Sequence, residues 1–254
     1  MKRCYVILVF AALLVAGGGT AYALPYLVYD SGGNQDVIQQ AMTLLGFSYD
    51  VRSAANPVTS GDLATHEALV IGWSASGYDM SGLTPGVLVA GITGNRIFTG
   101  HDADYHTVAG VHAAAVFMQR AVLFAGAAAG PGILAFPVFD PSPFSYLPSA
   151  WGISSFDNLT SETIDAITPE GMASGLYTGL TLADLSNWGQ SFHAGFTAWD
   201  PVFNPFEIGD PPVGTVVTIG TTVTPVQIVP EPASILLLGA GLIGLAAIRR
   251  QLRK

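Results

Sequence analysis

The chain has 254 residues, half of them hydrophobic and only 11% charged, with 18 acidic against nine basic side chains. Six of those nine lie at the ends (Lys2, Arg3, Arg249, Arg250, Arg253 and Lys254), so residues 24–228 hold three arginines against 17 acids, a net charge of −14 that excludes nucleic acid as a partner. The one cysteine, Cys4, sits in the extreme N-terminal segment, which excludes a disulfide, a thiolate nucleophile and a cysteine-based metal site from the rest.

Residues 1–23 read MKRCYVILVFAALLVAGGGTAYA. Lys2 and Arg3 precede an apolar run over 5–16, and Ala21-Tyr22-Ala23 supplies the small-x-small pattern of a signal-peptidase cut. This predicts a secretory signal handled by the Sec machinery and cleaved after Ala23. A short apolar strand follows over 26–33, ending in the turn DSGGN. Asn34 then caps a helix whose Val37, Ile38, Ala41, Leu44 and Leu45 share one face, and Gly46 stops it.

A second strand is expected at 49–54, a helical turn at 62–67 and a fully apolar strand at 68–73. Thr84-Pro85 opens the next helix, proline being well suited to the first helical position. The fourth strand is expected at 95–100, a long apolar helix at 108–128 and a fifth strand at 132–136. Strands alternate with helices and lack the in-out alternation of a half-wet sheet. The expected fold class is therefore α/β, a three-layer open parallel sheet of flavodoxin-like type covered on both faces. From Pro137 onward the rhythm gives way to Pro-, Ser- and Gly-rich loops, with a short helix at 182–185. The aromatics of 198–206 fit a loop folded over the sheet, or a platform for sugar rings. Residues 213–228 alternate enough for a β-rich linker or one or two late strands.

The chemistry concentrates in FTGHDADYHT, residues 98–107, where His101, Asp102, Asp104 and His106 fall within six positions. In an open parallel sheet, reactive groups gather at the carboxyl ends of strands, and this stretch follows the fourth strand. Three readings stay open. Asp102 or Asp104 caps the following helix, and the two histidines bond neighbouring loops. Alternatively His101, Asp104 and His106, with Asp102 and joined by His193 or His112, hold zinc or a harder divalent ion; neighbours in one turn diverge, so two of the four are expected to ligate. In the third reading Asp102 or Asp104 orients His101 to activate water, with His193 as partner and Ser31 lining the rim. His112, inside the long apolar helix, is otherwise expected to be a core residue. No cofactor is required unless the divalent metal is bound.

At the C-terminus Val229-Pro230-Glu231-Pro232 precedes an apolar stretch over 233–248 and then Arg249, Arg250, Arg253 and Lys254. The stretch is just short of an ordinary span, but flanking arginines can reach the interface and hold that end on the cytoplasmic side. Those three parts, in that order, resemble the PEP-CTERM sorting signal. The resemblance implies a Gram-negative source, an exosortase-type transpeptidase acting near Pro230-Glu231-Pro232, and transient tethering in the inner membrane. It also implies final placement at the cell surface or in an extracellular matrix, often with exopolysaccharide.

In its order of elements the body resembles the class I glutamine amidotransferase-like fold. That resemblance puts His101 where the family has its cysteine nucleophile and gives His193 the place of the general base, although glutamine hydrolysis is not credible without the cysteine. The organisation expected is thus a leader at 1–23, an α/β domain at 24–212, late strands at 213–228 and a sorting signal at 229–254. The function expected is an exported structural or binding component without catalysis. The alternative is a secreted hydrolase or divalent-metal protein built on residues 101–106.

Overall fold

Alternating burial along each strand divides the apolar side chains between two layers. The computed structural model describes residues 24–32, 35–75, 77–138, 142–156, 163–210 and 214–221. The expected leader (1–23), the sorting segment (229–254) with its apolar stretch at 233–248, and the cap Asn34 lie outside them. Among the described residues no helix is long and apolar enough to cross a membrane.

The first half runs β1 (Tyr26–Asp30), α1 (Gln35–Leu44), β2 (Tyr49–Ser53), α2 (Ser60–Ala64), β3 (Ala68–Ile71), α3 (Pro85–Gly91), β4 (Arg96–Thr99), α4 (Ala103–Val108), α5 (His112–Gly126) and β5 (Gly132–Ala135). Its five strands are parallel in the order β2-β1-β3-β5-β4. Successive strand residues point to opposite faces. Val28, Val70, Ile97 and Leu134 therefore pack with Ile38 and Met42 of α1 and Phe117 and Met118 of α5. Leu27, Leu69, Phe98 and Ile133 pack on the other side with Leu63 of α2 and Leu88 of α3. Two covered faces explain why β3 and β5 are buried at every position.

The second half departs from an all-parallel sheet. It comprises β6 (Ser154–Phe156), β7 (Thr163–Ile167), α6 (Pro169–Ala173), α7 (Leu182–Leu185), β8 (Gly195–Ala198), β9 (Phe203–Asp210) and β10 (Thr215–Thr221). β10 runs antiparallel to β4, pairing Thr218 with Thr99 and Ile219 with Phe98, and antiparallel to β9 and β8. The fold is thus a mixed α/β sheet whose parallel half is extended by antiparallel strands. Residues 215–221 are strand inside that sheet, and residues 24–226 form one compact unit.

Three local readings are corrected. The single helix expected at 108–128 is two, because the chain turns at Gly110, whose φ of +87° suits glycine. His112 consequently opens α5 as an exposed residue and is not in the core. The helical turn expected at 62–67 begins earlier: Thr59 accepts the Asp62 N–H, and Asp62 accepts the Thr59 N–H, a reciprocal cap. The aromatics of 198–206 form no sugar platform at Phe203 and Phe206, which are buried in β9.

Candidate functional site

β4 ends at Thr99, and the next residue decides what can approach. A Cβ on Gly100 would stand 1.9 Å from the Ala194 carbonyl oxygen, so only glycine lets the 192–195 segment close on the strand end. The Gly100 carbonyl accepts the His193 N–H at 2.8 Å, and His101 bridges Phe192. A late loop is thereby pinned to the carboxyl edge of the parallel half.

That closure brings His193 against Asp102. The Asp102 side chain is 2% exposed. Its Oδ2 lies 3.2 Å from His193 Nε2, and its Oδ1 lies 3.3 Å from His106 Nε2 one helical turn on. The His106 Nε2–H donates to the Gln190 carbonyl at 3.2 Å, so toward the Asp102 carboxylate the ring acts as a charge and not as an aligned donor. Burial pushes the Asp102 carboxyl up, but the two imidazoles outweigh it and hold the group below its ordinary range. Burial likewise pushes His106 down, and Asp102 outweighs that, raising it.

Asp104 is fully buried and does different work. Its Oδ2 accepts the Trp73 N–H at 2.8 Å and its Oδ1 accepts the Tyr105 N–H at 3.0 Å. Burial drives its carboxyl up to about 7, with the Trp73 N–H opposing and the Asp102 charge reinforcing the rise. Asp104 thus fixes the backbone that carries Trp73. The indole in turn stacks on the His193 ring at 5.7 Å and 29°, and Tyr105 lies tilted against it at 5.4 Å. Tyr105 is 45% exposed. Trp73, Tyr105 and His193 form a partly open aromatic rim over a buried carboxylate.

His101 turns away from this rim. Its Nδ1–H donates to the Ser191 carbonyl at 2.5 Å, and its Nε2 meets Glu207 Oε2 at 2.9 Å. Thr218 Oγ1 (2.7 Å) and Tyr177 OH (3.3 Å) also reach Glu207 Oε2, while Glu207 Oε1 has no partner among the described residues. The ring packs against both Phe117 and Trp188. Burial pushes His101 down, and Glu207 outweighs it, raising the imidazole. This pair clasps β4 to β9 in the molecule's interior.

The four clustered residues therefore part company. Asp102 and His106 meet His193, Asp104 binds backbone N–H groups, and His101 binds Glu207. Among the described residues no group of three or more His, Cys, Asp or Glu side chains is placed to hold a metal ion. The capping expectation holds only in part: Asp102 precedes α4 without a side-chain capping bond, its oxygens being engaged by histidines, whereas Asp104 Oδ1 accepts the first-turn Tyr105 N–H. Ser31 is buried, and its carbonyl accepts the Asp79 N–H. Asp30 Oδ1 accepts the Gly32 N–H in a tight turn, whereas Gly33 and Asn34 lie outside the described residues.

Sequence reasoning passed over Trp73 and Glu207. A tryptophan just past an apolar strand and its glycine, in ALVIGW, is a usable signal for a residue at a strand's carboxyl edge. Glu207 in NPFEIG, an acid between Phe206 and Ile208 inside a strand, is another, because a buried carboxylate demands a partner.

No curated protein matches the chain. Residues 229–251 match the PEP-CTERM protein-sorting motif, and that match includes Pro230, Glu231, Pro232, Arg249 and Arg250.

Proposed function

We propose that the chain is an exported protein, sorted by an exosortase-type transpeptidase through residues 229–251, whose α/β body serves at the cell surface or in the extracellular matrix as a binding component. The observation that carries this reading is the sorting motif. The leader-like residues 1–23, with Ala21 and Ala23 at the cut, supply the route across the inner membrane, and the segment 233–248 supplies a transient anchor. The ligand seats at the carboxyl edge of the parallel strands, where Trp73 and Tyr105 offer ring surface beside the Asp102–His193 pair. An uncharged polysaccharide suits that rim and an acidic body better than an anion does. The likeness to amidotransferases adds nothing to this reading, because His101, in the nucleophile's place, is sealed against Glu207.

The test follows the full chain, carrying a C-terminal epitope, in its host with and without the exosortase. The intact system should remove the epitope and deliver the body to the surface fraction. Glu231→Ala, or loss of the exosortase, should leave the tagged chain in the inner membrane. Recovery of the intact chain from the cytosol in every strain would overturn the reading.

A further inference from the structure

We propose that His193 is a general base, oriented by Asp102, that activates water against an uncharged acyl ester held on the Trp73–Tyr105 rim. The inference rests on the preceding reading only in placing the ligand at this edge.

Tautomer and orientation come first. Among the described residues Asp102 Oδ2 is the acceptor that meets His193 Nε2, at 3.2 Å, which assigns the proton to Nε2 and the lone pair to Nδ1. The His193 side chain is 18% exposed. Trp73 stacked on the ring fixes its plane, and the pinned 192–195 segment fixes its origin. A carboxylate holding one ring nitrogen of a partly exposed histidine is the geometry a general base requires.

The carboxylate is built to last in that role. It is almost wholly removed from water, and His106 on its other oxygen, raised by Asp102, balances its charge. A proton taken by His193 meets that same carboxylate, whose negative charge the two rings then share.

The nucleophile and substrate class follow from what surrounds the pair. Residues 24–228 contain no cysteine and no lysine, and among the described residues no Ser or Thr hydroxyl bonds His193. Ser191 Oγ accepts the Trp188 N–H instead. Water is therefore the attacking group. In the step, Nδ1 takes a water proton as the oxygen bonds to the acyl carbon. The tetrahedral adduct then collapses, its ester C–O bond breaks, and the departing alkoxide takes the proton back from the imidazolium, giving carboxylic acid and alcohol. With 17 acids against three arginines, the body repels anionic esters, whereas an uncharged sugar ester can stack on Trp73 and Tyr105.

The purified full chain is assayed for acetate release from O-acetylated xylan, and with 4-nitrophenyl acetate against an equal concentration of free imidazole. Activity above the imidazole rate is expected. His193→Gln should lower kcat/KM by about 100-fold or more, the usual share of a general base. Trp73→Ala should raise KM and spare more of kcat. Asp102→Asn should lower kcat and move the pH–rate profile to lower pH, because the imidazolium loses its counter-charge while His106 and Asp104 remain. A merely structural Asp102 would not move the profile. Should a variant fail to fold, carbethoxylation of the native chain, reversed by hydroxylamine, reads the same nitrogen: loss and recovery of activity in step with His193 modification support the assignment. Native activity no greater than imidazole's, a His193→Gln variant at the native rate, or activity indifferent to His193 modification would each overturn it. Loss of hydrolysis with surface delivery intact refutes this inference alone, and failed delivery with hydrolysis intact refutes only the preceding reading.

Discussion

Asp104 shows how a carboxylate can be retained for its oxygens and not its charge. Both oxygens accept backbone N–H groups, and burial drives the carboxyl up to about 7. An acid whose pKa is higher folded than unfolded binds more protons when folded, so stability falls as pH rises from about 4 to about 7. The loss across that window should be on the order of 2–4 kcal/mol, and Asp104→Asn should flatten it in thermal melts taken from pH 4 to 7.5. Asp102 is shifted the other way, so its contribution is present above its ordinary range and disappears only in more acid solution. At the other buried acid, Glu207→Gln should cost about 3–5 kcal/mol, because the raised His101 imidazole would lose its counter-charge in a fully buried site. A smaller loss in His101→Phe combined with Glu207→Leu, measured by denaturant unfolding, would confirm that the single change harms by orphaning a charge.

The meeting of β4 with the 192–195 segment is where elements become a site. Gly100→Ala would drive a methyl into the Ala194 carbonyl, which belongs to backbone that cannot swing aside. The expected cost is about 1–3 kcal/mol or somewhat more, with faster amide exchange at His193, whose N–H binds the Gly100 carbonyl. Nothing near residue 100 announces this contact, since its partner lies more than ninety positions away. Local signals served the parallel half well, because strands such as β1, β3 and β5 are apolar runs bounded by turns. They failed for β9, where Pro205 and Gly209 interrupt the strand pattern, and for the break at Gly110, where alanines continue the apolar run on both sides. The cluster at 101–106 was visible as composition. Its division among three roles was not, because Glu207, Ser191, Trp73 and His193 reach it only through tertiary pairing.

For the whole molecule, the distribution of amines turns the sorting proposal into a count. Residues 1–254 contain two lysines, Lys2 and Lys254, one in each terminal segment, and residues 24–228 contain none. Including the terminal amino group, an unprocessed chain carries three primary amines. Removal of residues 1–23 exposes a new terminal amine at Leu24 and discards Lys2, leaving two. A further cut near Pro230-Glu231-Pro232 discards Lys254 and leaves one. Exhaustive reductive dimethylation followed by intact-mass measurement should therefore find one labelled amine on chain recovered from the cell surface, and two on chain held in the inner membrane without exosortase. Three labelled amines on the surface-located protein would mean that it arrives with both terminal segments in place, and the proposed sorting would fail however well residues 229–251 match the motif. The same processing removes the basic ends and leaves a net charge near −14 on residues 24–228, so the delivered body should stay monomeric at low salt through self-repulsion.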